Sequence, residues 1–197
     1  MKFENINVYN IGNAIKGMRN PLESWSRSDS TGDTIGKNDI KLAQVLIRAG
    51  SEQRKFLRQI FVSVDITAPL YWWKEFDTYK IGTTANSTST MHKLASTPIT
   101  ADRFQHGEDI NKLSTIIDWL EKLRQEYVRT FDNKYWLELI RLLPQSWLQL
   151  RSVTMNYENI YNMVRQRKNH KLDEWRIDFI SFAHKLPYSK ELVFYGI

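Results

Sequence analysis

The stretch QIFVSVDITAP, Gln59 to Pro69, constrains the fold most. Through Thr67 it is β-branched and alternates in polarity, the pattern of a strand with one face against a core. Pro69 ends that pattern. A proline lacks the N–H that a central ladder needs, yet it suits the first turn of a helix. The strand is therefore expected to run straight into the helix APLYWWKEFDTY, whose triplet Tyr71-Trp72-Trp73 demands cover from other elements.

The remaining chain supplies that cover. Lys2 to Val8 reads as a short strand. Asn20 to Asn38 is rich in Ser, Asp, Asn and Gly and reads as a flexible loop. Asp39 is expected to cap a helix with Leu42, Val45, Leu46 and Ile47 on one face, stopped by Gly50. A short helical turn follows from Glu52. After the aromatic helix comes TTANSTSTM, Thr83 to Met91, a hydroxyl-rich run without a charge.

Asp109 to Arg129 gives the clearest helix, with Ile110, Leu113, Ile116, Ile117, Leu120, Leu123 and Tyr127 in one stripe. Tyr135 to Leu143 forms another, ended by Pro144. Trp147 to Met155 is strand-like, and Tyr157 to Lys168 helical. Leu172, Trp175, Phe179, Phe182 and Leu186 make a last stripe. No internal repeat or linker divides the 197 residues. This order of elements predicts an α+β fold, as one domain over residues 1–197.

Composition narrows the chemistry. The net charge of +6 favours anionic partners or marks a solvated basic surface. No Cys is present, which removes disulfides and thiolate metal sites and suits a reducing compartment. His92, His106, His170 and His184 lack metal-ligand spacing, so no metal is expected. There is no phosphate-loop, dinucleotide or Gly-x-Ser-x-Gly motif. The N-terminus lacks a signal-peptide core and no stretch has the length of a membrane span, so a cytoplasmic protein is expected.

Several features could carry binding. The hydroxyls of Thr83 to Thr90 donate and accept hydrogen bonds, and Tyr79-Lys80 and His92-Lys93 flank them; an anion site and a surface turn both fit. Asn156, Ile160, Met163 and Arg167 share one helix face. Arg167 there either forms a structural salt bridge or meets a phosphate or nucleobase oxygen. Arg165, Arg167, Lys168, Lys171 and Arg176 form a basic cluster that could face nucleic acid. Tyr71-Trp72-Trp73 could stack on a base or fill a core or subunit interface.

The segment LLPQSWLQLRSVTMNYENIYNMVRQR resembles the C-terminal half of the flavin-dependent thymidylate synthases. That family has a Leu-Pro turn, a strand, Asn-x-Arg opening a helix, and an Arg near the helix end that meets the uracil of dUMP. Leu143-Pro144, Asn156 and Arg167 fall at matching distances, and Arg141 lies near the phosphate-binding Arg position. Upstream, IRAGSEQRKFLRQIFVSVDITAP is similar to the family's Gly-His-Glu segment and following strand. EFDTYKIGTTANSTS lies where the family has its Arg-His-Arg signature and Ser-containing nucleotide loop.

The resemblance, over about residues 40–185, implies nucleotide contacts from Lys80, Thr83, Asn86, Ser87, Thr88, Thr90, Arg141 and Arg167. It implies flavin contacts from Ser51, Asn156 and Asn162, and a homotetramer. In the family's reaction Arg167 would stabilise charge on the pyrimidine. The chain also departs from the family. Thr78-Tyr79-Lys80 replaces Arg-His-Arg, Ser51 replaces the His after Gly50, and Glu158 replaces the Arg of Asn-x-Arg. Arg to Glu reverses the sign of an interaction with an anionic cofactor. The expectation is a divergent protein that binds dUMP or another phosphorylated nucleotide without the usual flavin chemistry, such as a nucleotide-sequestering protein of viral origin. The alternatives are an active FAD-dependent thymidylate synthase and a nucleic-acid-binding or interaction protein.

Overall fold

The computed structural model describes residues 1–109 and 111–197. It is a mixed α/β structure, as the order of elements predicts. Four strands, β1 (Lys2–Tyr9), β2 (Phe61–Pro69), β3 (Thr84–Ser87) and β4 (Leu148–Asn156), form one sheet in the order β1-β2-β4-β3. β2 and β4 pair antiparallel. Near one end of the pair the Tyr157 amide donates to the Ile60 carbonyl at 3.0 Å, and near the other the Leu70 amide donates to the Trp147 carbonyl at 3.0 Å. Val62, Val64, Ile66 and Ala68 of β2 are buried, while Phe61 is 42% exposed, which is the expected alternation. Pro69 closes β2, and helix α3 (Leu70–Phe76) begins at the next residue.

The contacts group the chain into two compact units. The first comprises Met1–Lys2, Ile66–Thr78 and Asn86–Arg151. It carries α3, the short helix α4 (Thr90–Lys93), and the pair α5 (Asn111–Thr130) and α6 (Asn133–Leu142). Leu94, Ile99, Phe104, Leu120, Leu139 and Trp147 form its core cluster. Trp72, Trp73 and Phe76 are buried as well, so the aromatic triplet is mostly core. Trp73 donates its indole N–H to the Gln149 carbonyl at 3.0 Å, and the Arg151 guanidinium lies 4.2 Å over its ring. Of the stripe expected on α5, Leu120 is buried and Leu113, Ile117, Leu123 and Tyr127 are half-buried. Ile116 is instead 43% exposed, at the margin of the stripe beside the exposed Trp119, and Ile110 lies outside the described residues.

The second unit comprises Phe3–Asp65, Tyr79–Ala85 and Ser152–Ile197. It carries α1 (Ile11–Gly17), α2 (Lys37–Ala49) and α7 (Tyr157–Arg167). A π-helical turn over Glu174–Phe179 then runs into α8 (Ile180–His184), and α9 (Ser189–Leu192) follows. Trp175, Phe179 and Phe182 are buried, and Phe3 stacks on Phe182 with centroids 4.5 Å apart. Helix α1 was not legible in the sequence, because its two glycines and short length leave little helical pattern.

Two sequence expectations are corrected at α2. Asp39 is not its cap: the helix starts at Lys37 after Gly36. The Asp29 carboxylate, from the preceding turn, accepts the Asn38 and Asp39 amides at 2.9 and 3.1 Å. Asp39 is buried and pairs with the buried Arg19 at 2.5 Å, and it accepts hydroxyls from Ser28 and Ser30 at 2.6 and 2.5 Å. These bonds tie the Asn20–Asn38 segment to α2, and two 3-10 turns, Asn20–Leu22 and Trp25–Arg27, lie within it. Val45 is 63% exposed, because α2 turns Ala43 and Ile47 inward and a residue two positions from Ala43 points about 200° away.

Burial pushes the Asp39 carboxyl up, but hydrogen bonds from Ser28, Ser30 and Arg19 outweigh it, so the group titrates below its usual range. Asp39→Asn leaves the Arg19 guanidinium buried without its counter-charge and is expected to cost about 3 kcal/mol, read by urea denaturation at neutral pH. In the first unit, Glu121 accepts from Arg124 at 2.6 and 2.7 Å and from the Ile99 amide at 2.8 Å. The Arg124 hydrogen bonds lower its carboxyl from 4.5 to about 2. A depressed folded-state value stabilises at pH above 4.5, and the benefit fades as the pH falls toward 2. The stability gap between the natural chain and Glu121→Gln is expected to reach up to about 3 kcal/mol at neutral pH and to shrink to less than half near pH ~3.

Candidate functional site

The second unit draws one set of expected residues together. Helix α7 opens with a reciprocal cap: Asn156 accepts the Asn159 amide at 2.9 Å, and Asn159 accepts the Asn156 amide at 3.1 Å. Asn159 also donates to the Ile81 carbonyl at 2.7 Å, which lays the segment Tyr79–Thr83 along the start of α7. That approach needs Gly82. Its φ is +76°, and a Cβ there would lie 2.6 Å from the side-chain Nδ2 of Asn156. Asn156 thus serves the helix cap, with its carbonyl oxygen already engaged.

At the far end of α7, Arg167 lies on the face that carries Ile160 and Met163, both fully buried. Its Nε donates to the Tyr79 hydroxyl at 2.9 Å, and that hydroxyl donates to Gln166 at 2.8 Å. The guanidinium is 5.1 Å from the Trp175 ring centroid and 5.6 Å from that of Tyr79. Trp175 belongs to the π-helical turn, a local irregularity that recurs where side chains must be re-aimed. The Trp175 ring, the Tyr79 ring and the hydroxyl of that same tyrosine therefore fix one guanidinium in place. Among the described residues, the Thr83 hydroxyl is buried without a hydrogen-bond partner. Lys80 is exposed and Asn162 half-buried.

Ser51 belongs to a separate cluster of the same unit. It donates to Glu158 at 3.2 Å, Arg54 donates to Glu158 at 3.0 Å, and Arg58 completes the ion pair. Arg58 also donates to the Ser51 hydroxyl at 2.7 Å, and the Arg54 guanidinium lies 4.7 Å over the Tyr161 ring. The carboxylate is 9% exposed, with both oxygens engaged. Burial raises the Glu158 carboxyl, but Arg58, Arg54 and Ser51 outweigh it, and the net shift is downward. Sequence reasoning missed Arg54 and Arg58. The signal was their spacing of four residues in a helical turn, which puts both on one side.

The first unit holds the other expected residues. The hydroxyl run is not a plain loop there. Thr84–Ser87 forms β3, with every residue exposed, and Thr88 donates its amide to the Leu150 carbonyl at 2.9 Å. The Thr88 hydroxyl shares that acceptor at 3.3 Å. Ser89 caps α4 by accepting the His92 amide at 3.2 Å, and Thr90 opens the helix. β-branched threonine fits an extended edge strand, and composition concealed it. Asn86 and Ser87 are exposed on β3, and Arg141 is exposed in the last turn of α6. The basic cluster near the C-terminus is not uniform: Arg176 pairs with Asp173, and Arg165 lies 5.6 Å over Tyr161. Among the described residues no set of three His, Asp or Glu gathers for a metal, and no helix is long and apolar enough to cross a membrane.

Removing the carboxylate charge tests the Glu158 cluster. Glu158→Gln leaves two guanidinium groups facing each other, and a loss of about 2–4 kcal/mol in unfolding free energy is expected by denaturant titration.

No protein-family model matches the sequence, and no curated protein matches it either. Solved structures do. Two crystal structures of the flavin-dependent thymidylate synthase ThyX from Helicobacter pylori, both with FAD and dUMP, superpose with TM-scores of 0.74 and 0.76. Identities are 18% and 17%; each match covers 98% of this chain, and 98% and 97% of the other. Likeness at that identity is likeness of architecture, over nearly the whole length of both chains. This chain has the fold of the flavin-dependent thymidylate synthases.

Proposed function

We propose that the protein binds a phosphorylated pyrimidine-type nucleotide on the flavin-dependent thymidylate synthase fold, without the usual flavin chemistry. The observation that carries this reading is Arg167, fixed by the Tyr79 hydroxyl and by the ring of Trp175 at one end of α7. A guanidinium held this way presents a planar cation to a carbonyl oxygen, and the half-buried Tyr79 ring beside it suits the face of a base. The similar structures hold dUMP, which supports a nucleotide as the ligand class. In the second unit the partnerless Thr83 hydroxyl and Lys80 join the proposed contact set; in the first unit, taken by itself, Asn86, Ser87, Thr88, Thr90 and Arg141 are proposed as nucleotide contacts.

The similar structures also hold FAD, which favours the alternative of a working synthase. The residues of this chain do not fit a flavin held in the family's way. Glu158 stands in place of a cation, and Arg54 and Arg58 are engaged in neutralising it. The Tyr79 hydroxyl is committed to Arg167 and Gln166. Ser51 and Asn156 likewise serve internal bonds. Binding without turnover, as in a sequestering protein, is the form of the function this supports. Assembly as a homotetramer belongs to the same proposal, and the exposed Ile116 and Trp119 of α5 suit an interface.

The protein is expected to purify colourless and to bind dUMP by calorimetry. Arg167→Gln should weaken that binding at least about tenfold, and Arg167→Lys should restore only part of it, because Lys lacks the planar fork. A yellow preparation with a flavin absorbance band would overturn the reading in favour of the oxidoreductase.

A further inference from the structure

We infer that the first unit carries its own binding cleft for a ring-bearing phosphomonoester. The cleft, of about 620 Å³, has the size of a small-ligand site. Its wall takes residues from three strands and the end of the fourth: Lys2 from β1, Thr67 from β2, Leu148 and Leu150 from β4, and Thr88 just past β3. Lys93, the last residue of α4, and Asp102, Arg103 and Gln105 from the segment after it complete the lining. None of these residues except Thr88 belongs to the contact set proposed above.

The charges converge. Three cations, Lys2, Lys93 and Arg103, and one acid, Asp102, line the cleft, so it carries excess positive charge. Arg103 is preorganised. Its guanidinium lies 4.8 Å over the Trp147 ring, which is 3% exposed, and its Nη1 donates to the Thr97 hydroxyl at 3.1 Å. A planar cation already held on an aromatic face loses little freedom on meeting a phosphate oxygen. The Asp102 carboxyl is held below its usual range, first by the Thr100 hydroxyl and further by Arg103 and Lys2, which places both cations within electrostatic reach of it. A carboxylate at the rim disfavours a polyphosphate and accepts from a hydroxyl or ring N–H. Leu148 and Leu150 offer an apolar floor for the ring. The combination selects one phosphate on an uncharged cyclic body.

The test is lysine footprinting with UMP as probe and inorganic phosphate as comparison. Saturating UMP is expected to slow acylation of Lys2 and Lys93 at least threefold, with Lys122 and Lys134 of the same unit, which do not line the cleft, unchanged as controls. Phosphate alone should protect more weakly. Arg103→Gln should abolish the protection and weaken UMP binding at this site at least about tenfold. Lys93→Gln, at an exposed position that leaves folding intact, should weaken binding about threefold to tenfold. UMP binding that survives both substitutions but is lost in Arg167→Gln would overturn the cleft and leave the α7 reading standing. Protection at Lys2 and Lys93 that persists in Arg167→Gln would support the cleft, whatever becomes of that reading. Absence of protection at both lysines would sink the inference.

Discussion

The pairing of β2 with β4 decides what the rest of the structure can build. One end of β2 is preceded by the 3-10 turn Arg54–Gln59, and the matching end of β4 runs into α7. The Tyr157 amide on the Ile60 carbonyl joins the two crossings. That bond brings the turn beside the first turn of α7, so Arg54 and Arg58 arrive at Glu158 by register alone. At the other end of the ladder, the Leu70 amide meets the Trp147 carbonyl. There α3 is set against β4, and the Trp73 indole reaches the Gln149 carbonyl. A one-residue slip would exchange the faces of β2 and expose Val62, Val64 and Ile66.

Glu158 shows how a sign reversal in sequence is absorbed in structure. Read alone, an acid where the resemblance expects Arg repels an anion. In the fold, two arginines flank it, so the group as a whole keeps a positive charge, yet its donors are turned inward. The cluster becomes a structural bolt between the turn before β2 and helix α7. A self-satisfied triad of this kind holds the register of turn and helix whatever else the surface does, and the chain shares its architecture with the similar structures at identities of only 18% and 17%.

Long-range order was legible where it followed from periodicity. The strand at β2, its direct passage into α3, the long helix α5, and the buried row of Trp175, Phe179 and Phe182 all follow from spacing. Features that depend on a partner distant in sequence were not legible. Asp39 looked like a cap because Asp is a capping residue, but Asp29 does that work and Asp39 is drawn inward by Arg19. Nothing local distinguishes the two aspartates. Arg167 was legible as a buried-face cation, but its partner Tyr79 is 88 positions away. The hydroxyl run read as a loop because Ser and Thr favour turns, whereas an edge strand needs only a backbone partner, supplied here by Leu150.

That run also separates two uses of a hydroxyl that composition merges. Ser89 and Thr88 spend theirs on backbone groups, capping α4 and bracing the end of β3. Thr83 does neither, and its buried oxygen has no partner. A buried hydroxyl without a bond costs about 1–3 kcal/mol relative to one that is satisfied. Valine would fill the same space without that cost, so the hydroxyl destabilises the resting fold at this point. Gly82, the adjoining residue, accepts a left-handed conformation to bring the backbone there. Gly82 packs against Asn156 and Asn159 at the start of α7, whereas the Arg167 guanidinium is held at the other end of that helix. A ligand oxygen or N–H that meets Thr83 would recover the lost bond, so at this point binding would gain from what folding leaves unpaired.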